Sequence, residues 1–106
     1  MTGHSRDVLR ELERWYLARC DGNWEHSHNI EVVTVDHPGW SVVVPLEETP
    51  LERVPYDRFE AKRSEDDWLE CWRDEQHFQA ICGPLSLEET IGTFLDWART
   101  NSASAT

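Results

Sequence analysis

From Cys20 to Trp40 the chain reads CDGNWEHSHNIEVVTVDHPGW, with one cysteine, three histidines, two tryptophans and four carboxylates. Such a density of reactive side chains allows three chemistries. Cys20, His26, His28 and His37, with Glu25 close by, are soft-metal ligand types. Structural zinc asks for four ligands at regular spacing, and these positions follow no such pattern. His26 and His28 would share a face only if they lay on a strand. No metal and no cofactor are expected. In the second chemistry Cys20 acts as a nucleophile with His26 as its base, as in small hydrolases or sulfur-transfer proteins. Cys20 falls where a helix should end, and the negative end of a helix is the wrong place for a nucleophilic thiolate. In the third, the stretch frames a fold. Trp24 would plug one end of a core while its N–H finds a carbonyl. Glu25 would accept hydrogen bonds from loop N–H groups. The alternative is that Trp24, Glu25 and His26 touch a partner, and Trp40 after the Pro-Gly turn has the same two readings.

Cys71 and Cys82 sit within strand-like runs, where a buried cysteine is a small hydrophobe. Three cysteines without CxxC spacing argue against a disulfide framework and for a reducing, cytoplasmic setting. No GxSxG, HExxH, P-loop or GxGxxG pattern occurs. There is no charged-then-apolar leader, and no apolar run approaches the roughly 18 residues of a membrane span.

The elements that must position these groups fit one domain over residues 1–106, with a core over about 6–99 and flexible ends at 1–4 and 100–106. Hydrophobic residues are 39% of the chain, but six are tryptophans, which supply much burial each. The net charge is −11, from 21 acidic and 10 basic residues. That disfavours phosphate-directed binding of nucleic acid and docking on an acidic membrane, and it suits a basic protein partner. Acidic runs lie at Ser64-Glu65-Asp66-Asp67 and at Glu47, Glu48 and Glu52.

Val8, Leu9, Leu12, Trp15 and Tyr16 repeat on a 3.6-residue period and predict a helix over 6–20, capped by Ser5 and stopped at Asp21-Gly22. Leu17 lies off that stripe and is expected to meet a second contact. IEVVTV (30–35) and WSVVVPL (40–46) predict a hairpin closed by a type II turn from His37 to Trp40, with the second strand ending, or lying on an edge of the sheet, at Pro45. Residues 58–63, 68–73 and 77–82 predict a meander. Trp68, Glu70 and Trp72 share one face of its middle strand, and pattern alone leaves open whether helices cover that face. A final helix opens at Ser86, with Glu89 completing a capping box and Leu87, Ile91, Phe94, Leu95 and Ala98 as its apolar stripe. Gly92 within it suggests close packing on the sheet. The expected class is α+β: an antiparallel sheet of about five strands with both helices on one face.

WY at 15–16, CDGNWEH at 20–26, IEVVTVDHPGW at 30–40, SEDDWLECW at 64–72 and FLDWA at 94–98 stand in one order along residues 8–98. In this the chain resembles the immunity protein 53 family of bacterial polymorphic toxin systems. His28-Asn29 replaces the family's usual aromatic-glycine pair, and His37 stands where asparagine is common. The resemblance implies a cytoplasmic, non-catalytic protein that binds a cognate toxin domain. If that toxin is a nuclease, its basic surface would suit an acidic inhibitor. The partner-contacting residues expected on this reading are Trp24, Glu25, His26, Asp36, Trp40, Glu65, Asp66 and Asp67. A generic interaction module without a toxin remains a third reading.

Overall fold

The apolar periodicities fold, in the computed structural model, into the order α1 (Val8–Arg19), α2 (Trp24–Ser27), β1 (Glu31–Val35), β2 (Gly39–Pro45), β3 (Phe59–Lys62), β4 (Trp68–Arg73), β5 (His77–Cys82) and α3 (Leu87–Ala103). Residues 6–103 are described by the structure. The five strands make one antiparallel sheet in the order β1-β2-β5-β4-β3, so the α+β expectation holds. The central strand is β5. Residues opposite one another in an antiparallel ladder share a face, and the register therefore sorts the side chains. Val42, Val44, Leu69, Cys71, Phe78, Ala80 and Cys82 point to the buried face. Ser41, Val43, Glu70, Trp72, Gln79 and Ile81 point away from it. Trp68 and Trp72 thus lie on the uncovered face, half-buried among neighbouring strand side chains.

Three layers cover the buried face. Phe94 of α3 stacks at a tilt on Phe78 of β5, ring centroids 5.1 Å apart. Trp15 of α1 meets Phe94 edge-on at 5.1 Å. Tyr56, from the long β2–β3 connection, meets Phe78 and Trp97 edge-on at 5.5 and 5.0 Å. That connection buries Leu46 and Leu51 completely. Its carbonyls are tied down by Arg73, whose guanidinium donates to the backbone oxygens of Leu51, Glu52, Val54, Asp74 and Glu75 at 2.8–3.0 Å. Charge-assisted bonds of this kind are roughly twice as strong as neutral ones.

Several local expectations are corrected. Asp7 caps α1 by accepting the Arg10 N–H at 3.0 Å, while Ser5 lies outside the described residues, as do 1–4 and 104–106. Leu17 finds no second contact and stays 70% exposed. A one-turn helix not foreseen from the sequence, α2, forms because Asp21 accepts the Trp24 N–H at its start and Glu25 ties down the residues before it. The His37–Pro38 peptide is cis and Gly39 does not adopt positive φ, so the turn is not type II. Gly39 is instead required by close approach, since a Cβ there would run into the Cys82 carbonyl. Ser86 Oγ accepts the Trp68 N–H and donates to Asp67 Oδ1, both at 3.0 Å, and Glu89 pairs with Arg63, so both groups serve sheet contacts instead of a reciprocal cap. Gly92 faces Arg6 and Val8 at the start of α1, not the sheet. Gly22 takes φ 94°, as its place after α1 requires. Helix α3 runs on to Ala103, through the first part of the tail expected to fray.

Gly92 and Gly39, both buried, should respond in opposite directions. A Cβ at Gly92 would meet Arg6 Nη1 at 3.4 Å, an ordinary contact. Gly92→Ala should therefore stabilise by about 1 kcal/mol through helix propensity. Gly39→Ala should destabilise by about 1–3 kcal/mol through overpacking against backbone. Urea unfolding of the two variants checks both.

Candidate partner-binding surface

The segment after α1 is held by two reciprocal carboxylates. Asp21 Oδ1 accepts the N–H groups of Asn23 and Trp24, each at 2.9 Å. Glu25 reaches back to accept the N–H groups of Asp21 and Gly22, each at 2.9 Å. Four donors that a tight turn would leave bare are thereby satisfied. The Asp21 carboxyl is held below its usual range, first by the Trp24 N–H and then by that of Asn23. Glu25 is lowered as well, first by its own backbone N–H and then by those of Asp21 and Gly22.

This turn delivers Trp24 into the fold, where it is only 2% exposed. Its indole N–H donates to the Glu47 carbonyl at 2.9 Å. The ring stacks on His28 at 4.9 Å and meets Trp15 and Tyr16 edge-on, both at 6.3 Å. His28 Nδ1 lies 2.9 Å from the Trp24 carbonyl, and Nε2 lies 3.3 Å from Glu47 Oε1. The imidazole is held above its ordinary value, first by the Trp24 carbonyl and then by Glu47. His26, in contrast, points to solvent from α2. It does not share a strand face with His28, since neither residue is on a strand.

The other expected contact residues gather elsewhere. Asp36 sits in the β1–β2 turn, and the ring of the next residue, His37, lies 5.7 Å from that of Trp68. The β3–β4 turn is closed by Arg63 and Ser64 N–H groups donating to the Asp67 carbonyl. It packs against the loop before α3, where Leu85 N–H donates to the Asp66 carbonyl. Trp40 is half-buried against the core, and its indole donates to the Pro84 carbonyl at 3.2 Å. Asp36, Trp40, Glu65, Asp66 and Asp67 thus share the end of the sheet at the start of β2. Trp24, Glu25 and His26 lie by the other end of β2, roughly 20 Å away for seven residues of strand. Asp67 is bound to Arg63 and Ser86, and its carboxyl is lowered by Arg63 first and Ser86 second. Asp36, Glu65, Asp66 and nearby Glu88 enter no ion pair among the described residues.

Two of the three thiols, Cys71 and Cys82, are buried in the core. Burial pushes Cys71 up to about 12 and raises Cys82 as well. Cys20 donates from Sγ to the Tyr16 carbonyl at 3.3 Å. Among the described residues no three His, Cys, Asp or Glu side chains converge as a metal site would require. Nor is any helix long and apolar enough to cross a membrane. Sequence reasoning missed one feature altogether. Leu9 and Tyr16, assigned to the core stripe, are 65% and 40% exposed, and Val32 and Val33 of β1 are 37% and 49% exposed. Their alternation and helical spacing carry no sign of this, because the pattern cannot show which apolar face a neighbour covers.

The fold is thus an α+β domain with its carboxylates divided between turn locks and open surface. The chain matches the family model of Immunity protein 53 over residues 9–99 and belongs to that family. No curated protein and no solved structure matches it.

Two outcomes follow from the turn. Trp24→Ala should cost about 3–5 kcal/mol, the range for deleting a buried indole, measured by chemical denaturation. His28 has a raised folded pKa, so its stabilisation is complete below about pH 6.5 and is lost as pH rises through the raised value. The wild-type melting temperature should therefore fall, relative to that of His28→Gln, on going from pH 6 to pH 8.

Proposed function

We propose that this chain is the immunity partner of a polymorphic toxin, binding the toxic domain in the cytoplasm of the producing cell and blocking it by contact without chemistry of its own. Membership of the immunity family carries this reading. The physical support is the charge of −11 together with its distribution. Asp21, Glu25 and Asp67 are committed to holding turns, whereas Asp36, Glu65 and Asp66 stand exposed at one end of the sheet without a cationic partner among the described residues. Such charges speed encounter with a basic surface and reject wrong partners more than they add affinity. A toxin that works on nucleic acid would present a surface of that sign, and the acidic end would stand in for phosphate. Of the expected contact residues, His26, Asp36, Glu65 and Asp66 are exposed enough to touch a partner directly. Trp24, Glu25, Trp40 and Asp67 would act by holding the surface in shape.

Co-expression with the toxin domain encoded beside the gene should restore growth and yield a one-to-one complex on purification through a tag on either chain. Unrelieved toxicity without a complex would overturn the reading. Cys20→Ser should protect as well as wild type, whereas loss of protection with the fold intact would favour cysteine chemistry instead.

A further inference from the structure

Seven large apolar side chains among the described residues are exposed, and five of them, Leu9, Tyr16, Leu17, Val32 and Val33, belong to α1 and β1. A surface cavity of about 320 Å³ opens between α1 and the approach to β1, lined by Leu12, Glu13 and Tyr16 on one side and by His28, Asn29 and Ile30 on the other. Strand β1 is an edge of the sheet and pairs only with β2. Its outward N–H and C=O groups therefore have no ladder. No backbone hydrogen bond from a turn or loop, and none from a side chain, reaches residues 31–35 among the described residues. Soluble proteins guard such edges with lysine, proline, bulges or very short strands. Here EVVTV carries a single charge, Glu31 at its start, and neither lysine nor proline, whereas the opposite edge, β3, has four residues and bears both Glu60 and Lys62.

We infer that the β1 edge and the α1 groove beside it receive an extended strand of the basic toxin domain, which continues the sheet past β1. The inference rests on the immunity reading above and adds to it where the partner sits. The alternation of β1 suits this occupant. Val33 shares the open face with Ser41, and Val32 shares the helix-covered face with Val42. An added strand would thus find an apolar neighbour on each side of the sheet, while its backbone completes the ladder. Charge selects a basic partner over a second copy of this chain. Two copies at −11 each repel, and the edge is bordered by Glu13 and Glu31 and ends at Asp36. Strand pairing over five residues is smaller than the roughly 800 Å² per partner of a standard interface. The exposed Leu9 and Tyr16, seven residues apart on α1, supply the remaining apolar contact, and the acids at Asp36, Glu65 and Asp66, at the end of the sheet where β1 finishes, steer encounter.

The test uses the co-purified complex with the neighbouring toxin domain, with affinity measured for wild type, Val33→Lys, Val33→Glu, Leu9→Glu and the double variant Glu65→Lys/Asp66→Lys. Val33 and Leu9 are exposed, so their variants should keep the wild-type fold by circular dichroism. All three edge variants should weaken binding by roughly 30-fold or more, the scale of a central contact. Loss in both Val33→Lys and Val33→Glu separates docking from simple attraction, which Val33→Glu would strengthen. The double variant should chiefly slow association. Amide exchange on wild-type chains gives the independent readout, with β1 amides gaining protection in the complex. Wild-type affinity in the edge variants, with β1 exchange unchanged, would overturn the edge proposal and leave the immunity reading standing. Absence of any wild-type complex would remove both. A chain that is dimeric alone, and made monomeric by Val33→Lys, would assign the edge to a second copy and overturn the proposal.

Discussion

Five aromatic rings from four separate elements meet over the middle strand of the sheet. Phe78 of β5 lies beneath Phe94 and Trp97 of α3, with Trp15 of α1 and Tyr56 of the β2–β3 connection closing in from either side. Aromatic pairs at these separations add about 0.5–1.5 kcal/mol each beyond their buried area. More important is their position. Because all of this bulk stands on one face, both helices and the long connection must lie there too. The opposite face and the β1 edge are left without cover. The surface open to a partner is thus a by-product of where the core was built.

The acidic excess would work against such a small fold if every carboxylate were only a surface charge, because like charges repel in the compact state. The structure separates the carboxylates by task. Asp21 and Glu25 replace water as acceptors for turn N–H groups, and Asp67 anchors Arg63 while holding Ser86. Glu11 and Asp96 meet Arg6 where α1 starts beside α3. Acids with such partners stabilise local geometry and have little left to offer a ligand. Those without them, at the turn end of the sheet, retain their full field toward solvent. The same division runs through the crowded stretch from Cys20 to Trp40. Its reactive groups are each engaged in a short-range bond or turned away from the others.

Much of the fold was legible in the chain. Spacings of two and of 3.6 located all five strands and both long helices, and Gly22, Pro45 and the alternation of β4 and β5 were read correctly, because these are local steric and periodic effects. Less was legible where one side chain had two possible partners. Ser86 and Glu89 have the spacing of a reciprocal cap, but Trp68, Asp67 and Arg63 come close enough in space to claim them. Gly39 looked like a turn glycine and is needed because Cys82 passes against it from a strand more than forty residues away. The one-turn helix α2 was invisible because it depends on the Asp21 and Glu25 hydrogen bonds forming together.

By itself, then, the sequence determined the five strands and two long helices, their order, the acidic character and the family, all properties carried by neighbouring residues or by composition. Only the tertiary structure decided which apolar faces are covered. Leu9 and Val8 are adjacent on one helix, and Val33 and Val42 are equally hydrophobic. Yet Val8 and Val42 are buried while Leu9 and Val33 face solvent. Burial depends on what packs opposite, and that is set by the aromatic cluster that draws both helices and the connection to one side of the sheet.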